Sequence, residues 1–210
     1  MKKGARMTVN DLVETGVLNP DNFQRVLAQG NYVASSVVAT AKEKIAGLVE
    51  NRASSFLKCL STGKVLILDP TDGTEIIAKA KDVFNAYIDS DFKNYGCNVS
   101  ESPSGKTKVH VFEMAKDGTF KNLFGSFGEN LDRLCLTQSQ IIQFCKKHAD
   151  WLRTDGYGTL LLFKKDNEYF VADVYRSSCG LSVYVYRFLV GDVWGADFRP
   201  RIVWFRNCNE

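Results

Sequence analysis

Six cysteines and two histidines are the side chains of this chain best suited to covalent or acid–base chemistry. The cysteines (Cys59, Cys97, Cys135, Cys145, Cys179 and Cys208) are scattered without C-x-x-C spacing. That pattern gives neither a zinc site nor a compact disulfide framework, and it fits thiols kept reduced. A reactive thiolate needs nearby cations or a helix N-terminus to lower its pKa, and only Arg176 lies close to Cys179 in sequence. His110 falls inside an expected strand with no nucleophile signature beside it. His148 sits on the apolar side of an expected helix, which suits a hydrogen-bonded core histidine. Asp89-x-Asp91 and Asp69-x-x-Asp72 have calcium-loop spacing. Counting from Asp89, however, the fifth position of such a loop is Lys93, and the loop glycine is missing, so turn and capping roles are expected. None of the signatures G-x-S-x-G, H-E-x-x-H, G-x-G-x-x-G or the phosphate-binding loop occurs. The expectation is no catalytic residue, no metal and no cofactor.

The elements that must position any site fall into two parts. Residues 1–62 read as a helical N-terminal segment, with Thr8 or Asn10 as one cap and Asn19-Pro20-Asp21 opening a second helix. A longer helix is expected from Ser36 to Leu60, where Val38, Ala41, Ile45, Leu48, Phe56 and Leu60 form one apolar face. Residues 63–210 read as an α+β domain. Lys64–Leu68 is a short strand stopped by the turn DPTDGT. Ile76, Ile77, Ala80, Val83, Phe84 and Tyr87 suggest an amphipathic helix, and Val109–Met114 a strand. Thr137-x-x-Gln140 is a capping box opening a helix whose buried face is Ile141, Phe144, Cys145, His148 and Leu152, ended by Asp155-Gly156. A hairpin around Lys165-Asp166-Asn167 follows, then further short strands.

Length and composition suit one globular domain with an appendage. A net charge of +3 without a long Lys/Arg run argues against nucleic acid as a partner. No stretch has membrane-spanning length and no apolar leader follows Met1-Lys2-Lys3, so the chain is expected to be cytoplasmic as made. The tail is the anomaly. From Tyr169 to Asn209 there is no Lys, Glu, Gln, Met or His, yet Arg176, Arg187, Arg199, Arg201 and Arg206 all fall there. A buried sheet excludes long polar side chains, but a core that rejects Lys should reject Arg too. Within the tail, Leu181, Val183 and Val185 alternate with Ser182, Tyr184 and Tyr186, an aliphatic face opposite a tyrosine-bearing one. Tyrosines supply rigid amphipathic contact area, as in antibody paratopes.

The stretches LCLTQSQIIQFCKKHADWLRTDGYGTLLLFK, YVYRF, VWGADFRPR and IAKAKDVFNAYIDSDFKNYG together carry a family resemblance. The chain resembles the variable proteins of diversity-generating retroelements, of the type found in archaea and uncultured small-genome bacteria. The likeness covers residues 65–205. It is most specific in the frame Arg187-Phe188, Val193-Trp194-x-Ala196-x-x-Arg199-x-Arg201.

That resemblance implies a C-type-lectin fold of the formylglycine-generating-enzyme kind, with an antiparallel sheet and two flanking helices. It also implies a hypervariable surface at about 175–200. In such systems a reverse transcriptase copies a template with errors at adenines, mostly in AAC or AAT codons. Scrambling their first two bases reaches most amino acids but never Lys, Glu, Gln, Met or Trp. Four of the five unreachable types are absent from the tail, while Arg is reachable and present. Trp194 and Trp204 would then be fixed. The implied variable positions are Tyr175, Ser178, Cys179, Ser182, Tyr184, Tyr186, Leu189, Val190, Gly191, Asp192, Gly195, Asp197, Phe198 and Pro200. The implied scaffold is Arg187, Phe188, Val193, Trp194, Ala196, Arg199 and Arg201. The sequence lacks the Gly-Gly-x-Trp signature of better-known bacterial members and the paired active-site cysteines of the enzymes, so neither carbohydrate binding nor catalysis is implied. The expected role is a monomeric, non-enzymatic binder of a varying ligand, a protein. The alternatives are a thiol-dependent oxidase on the same fold and a phage or host structural protein assembling through its N-terminal helices.

Overall fold

A computed structural model describes residues 56–128, 130–154, 157–189 and 191–206. The helices expected before residue 56, and Val190, lie outside these. The architecture is α+β: one open, mixed sheet of eight strands with short helices on its faces. The strands are β1 (Leu57–Cys59), β2 (Leu66–Leu68), β3 (Tyr87–Ile88), β4 (Thr107–Met114), β5 (Gly158–Lys165), β6 (Glu168–Ser177), β7 (Gly180–Arg187) and β8 (Arg201–Arg206). Their order is β1-β4-β8-β5-β6-β7-β3, with β2 also pairing β4. Among the described residues no helix is long and apolar enough to cross a membrane.

The long antiparallel hairpins form where the sequence alternates or turns tightly. β5 and β6 pair from Gly158↔Tyr175 to Lys165↔Glu168, closed by Asp166 in the left-handed region (φ 53°) and Asn167. β6 and β7 pair from Phe170↔Arg187 to Ser177↔Gly180, leaving Ser178 and Cys179 at the hairpin tip. Most pairings are antiparallel, but the sheet is mixed. β8 runs parallel to β5, and β3 parallel to β7. The chain leaves β7 at one side of the sheet, crosses through the 188–200 connection, and inserts β8 between β4 and β5.

Both faces of the sheet are covered, which is why the central strands read as near-continuous apolar runs. One face packs Leu161, Phe163, Phe170, Ala172, Val174, Val183, Val185 and Val203 against α3 (Gln138–Lys147), α1 (Asp91–Asn94) and the segment around Ile77. The other packs Leu160, Leu162, Val171 and Ile202 against α2 (Phe120–Gly125), Phe127, Phe188 and Trp194. Each fully buried Leu or Phe contributes about 1.5–3 kcal/mol through removal from water.

The capping box of α3 is complete: Thr137 Oγ1 accepts from Gln140 N at 3.2 Å, and Gln140 Oε1 accepts from Thr137 N at 2.9 Å. The α-helix stops at Lys147, earlier than expected, and a 3₁₀ turn at Ala149–Trp151 follows. α2 carries a second box, Thr119 with Asn122. Two helical expectations fail. The end of the expected Ser36–Leu60 helix is a strand, because Leu57–Cys59 pairs with Phe112–Met114. The segment from Ile76 to Tyr87 holds only a 3₁₀ turn at Ile77–Lys79 before β3. Ile76, Ile77, Ala80, Val83 and Phe84 are buried as expected, and Tyr87 is exposed. The local backbone bonds, such as Lys79 N to Ile76 O and Phe84 N to Ala80 O, make isolated turns, while the ends of the segment bond outward. Ile77 N donates to the buried Gln138 Oε1, Asn85 Oδ1 accepts from Leu181 N, and Ala86 N donates to Leu181 O. Tertiary partners outbid the helical spacing.

Candidate binding surface

The side-chain alternation of β7 decides which tail residues face which way. Val183 and Val185 enter the first core, while Ser182, Tyr184 and Tyr186 project on the other face. There they meet Asp173 and Tyr175 of β6, the ring of Tyr87 from β3, and Trp194 from the β7–β8 connection. Tyr184 lies 5.1 Å from Tyr87 and 5.4 Å, edge-on, from Tyr175. Tyr186 lies 5.4 Å, edge-on, from Trp194, which stacks on Phe120 at 5.1 Å. The tyrosines therefore continue the apolar packing of α2 outward into a half-exposed aromatic surface.

The connection after β7 is held at a few points and open elsewhere. Phe188 N donates to Tyr169 O, Trp194 exchanges two backbone hydrogen bonds with Gly118, Ala196 N donates to Asp117 Oδ1 at 2.7 Å, and Met114 N donates to Pro200 O. Between these points Leu189 is 91% exposed, Val193 67% and Phe198 55%, with Gly191, Asp192 and Asp197 also exposed. Phe198 stacks on Tyr157 at 5.3 Å. Burial divides the loop differently from the sequence frame: Val193, expected as scaffold, faces solvent, and Pro200, expected as variable, is buried. Arg199 is exposed in the left-handed region (φ 48°). Arg187 pairs with Glu168 at 2.9 Å and lies over the Tyr95 ring. Arg201 ties the carbonyls of Trp151 and Leu152 together. Ser178 and Cys179 are exposed at the hairpin tip, away from the connection in sequence and close to Asn85 through Gly180.

Asp173 is the residue that sequence reasoning missed. It is 0% exposed, and neither carboxylate oxygen makes a hydrogen bond of regular geometry, the Tyr175 phenol being the one polar group close enough to act on it. Burial pushes its pKa up to about 7, and the Tyr175 phenol beside it offsets this only in part. The carboxylate occupies space that Gly158 leaves free, since a Cβ at Gly158 would overlap it. A single Asp inside the apolar run Val171–Val174 was the available signal. Burial, and then the Asp173 charge, raise the Tyr175 phenol, and burial followed by Asp173 and Asp89 raises Tyr186. Both phenols stay protonated at neutral pH and do not act as bases.

The groups considered for chemistry have structural partners. Asp72 accepts from Thr74 N and Asp89 from Asp91 N, both local turn bonds. Asp69 pairs with Lys147 and Asp89 also accepts from Val185 N, ties between distant elements that differ from the expected turn and capping roles. His148 Nε2 lies 3.1 Å from Ile67 O. His110 does have a hydroxyl neighbour, contrary to expectation: Ser61 Oγ lies 3.3 Å from its Nδ1. Ser61 is buried and accepts from Val111 N, so this hydroxyl faces no substrate. Burial raises the thiols of Cys97 to about 11 and Cys135 to about 12, and raises Cys145 as well, so these three are not thiolates at neutral pH. No known protein family, curated protein or solved structure matches the chain.

Proposed function

We propose that this chain is a non-enzymatic binding protein with a C-type-lectin fold, a variable protein of a diversity-generating retroelement. Its display surface combines the outer face of β7 with the 188–200 connection, and it recognises varying protein ligands. One observation carries the reading. The absence of Lys, Glu and Gln after Tyr169 persists at positions where burial cannot cause it. Among the positions expected to vary, Ser178, Cys179, Leu189, Gly191, Asp192, Asp197 and Phe198 are exposed, and exposed positions ordinarily favour the missing types. A restriction on which codons can arise at these positions accounts for the missing Lys, Glu and Gln there. The half-exposed tyrosines, with Phe198, Leu189 and Val193, then supply aromatic and apolar anchors, and Asp192 and Asp197 set charge complementarity.

The test is the pattern of variation among natural copies of the gene and any template repeat near it. Differences should fall at template adenines, in codons for outward positions such as Ser182, Tyr184, Asp192 and Asp197. Differences spread evenly, or as frequent at Val183 and Trp194 as at Tyr184, would end the proposal.

A further inference from the structure

We propose that Asp173 is a fixed anchor for a cationic side chain, a lysine or arginine of the protein ligand that docks on the tyrosine surface. The inference rests on reading that surface as the binding face. Stability alone does not explain this residue. A fully buried carboxylate whose one polar neighbour is the Tyr175 phenol is costly, and an aliphatic side chain between Leu160 and Tyr184 would avoid that cost. The fold instead makes room for it through the missing side chain of Gly158.

What surrounds the carboxylate suits a cation. Tyr184 stands directly opposite it on β7, Tyr175 is two residues on along β6, and Tyr186 lies diagonally across. Aromatic faces and a carboxylate together attract ammonium and guanidinium groups, most strongly where water is excluded. The charges that act on the Tyr186 phenol are those of Asp173, Asp89 and Asp192, all of one sign. The arginines of the neighbouring strands, Arg176, Arg187 and Arg201, project from the opposite face of the sheet, where they bond Ala149 O, Glu168 and backbone carbonyls. Among the described residues no three acidic, histidine or cysteine side chains converge as a metal ion would need, which favours an organic cation. Tyr175 and Tyr184 are half-buried rim residues over the buried carboxylate, and the proposed contact requires one of these rings to rotate aside. Asp173 precedes the 175–200 segment, so every variant of the surface would share this anchor while its rim changed.

The test titrates the full chain with acetyl-arginine amide and acetyl-lysine amide at pH 8, with acetyl-citrulline amide as the neutral isostere, and follows the Asp173 carboxyl and tyrosine ring signals by NMR. A lone ion pair with aromatic contact should saturate in the millimolar range. Both cations should give saturable shifts and move the Asp173 titration midpoint downward; citrulline should do neither, and D173N should abolish the response to both cations. Equal shifts with citrulline, shifts that survive D173N, or no saturable shift would overturn the proposal. The citrulline comparison needs no variant, so it decides even if D173N folds poorly. The codon-variation test is independent: its failure would remove the diversified-surface reading while leaving cation capture measurable, and the reverse also holds.

Discussion

Trp194 and Gly118 exchange both of their backbone hydrogen bonds, at 2.9 and 3.1 Å, so the middle of the β7–β8 connection is clipped to the segment entering α2. The Trp194 ring then stacks on Phe120, two residues further along. The long connection is thereby divided into two short spans.

This clip sets the first prediction. Trp194, expected to be a buried scaffold ring, is partly buried, and Trp194→Ala should remove its packing against Phe120 and Tyr186 at a cost of about 2–3 kcal/mol. Tyr184→Ala removes a half-exposed ring and should cost about 1–2 kcal/mol, below the range for a buried aromatic. Urea unfolding of the two variants beside the parent checks the order. A tyrosine cost equal to the tryptophan cost would make Tyr184 a core residue.

Asp173 gives a pH dependence of stability. Its pKa rises from an unfolded value of 3.8 to about 7 on folding, so between those values the folded protein holds a proton that the unfolded chain releases. Stability from this group is full below the unfolded value and is lost as pH rises through the folded one, by ~1.4 kcal/mol per pH unit at most. Denaturant midpoints measured from pH 5 to pH 8 should fall in the parent and flatten in Asp173→Asn. A parallel fall in both proteins would assign the slope to another group.

Gly158 and Asp173 should be coupled. Gly158→Ala places a methyl group where the carboxylate sits, so one of them must move. Asp173→Ala clears that space. A double-mutant cycle should show Gly158→Ala strongly destabilising alone and much less so beside Asp173→Ala, with a coupling of about 0.5–3 kcal/mol. Additive effects would mean that the two sites do not share that space.

Local signals in the sequence were read where they were self-sufficient. The Thr137–Gln140 box and the Asp166-Asn167 turn carry their partners within a few residues, and the α+β class follows from them and from the alternation of β7. The segment from Ile76 to Tyr87 shows the limit. Its apolar spacing fits a helix, but an irregular strip lying on one core buries the same residues, and Gln138 and Leu181, which capture its backbone, are far away in sequence. β8 was legible as a strand, but its place between β4 and β5 was not, since nothing local encodes a parallel neighbour. At the candidate site, the outward set Ser182, Tyr184 and Tyr186 could be read from period two. The floor beneath it could not. One Asp in a strand looks like a solvated position until the tyrosines and Gly158 are placed around it.

The position of β8 also bears on how a changing sequence is kept sound. β8 follows the 188–200 connection in the chain, yet it fills the gap between β4 and β5 at the middle of the sheet. Until the connection closes, those two strands present unpaired edges, the kind of surface that aggregates and is cleared from cells. Closing it is a long-range step that must precede the reward of the β8 ladder. A connection whose residues cannot reach the clip at Gly118 leaves the sheet without its central strand. If the surface is diversified as proposed, folding itself acts as a first selection: loops that spoil the molecule would be removed before meeting any ligand.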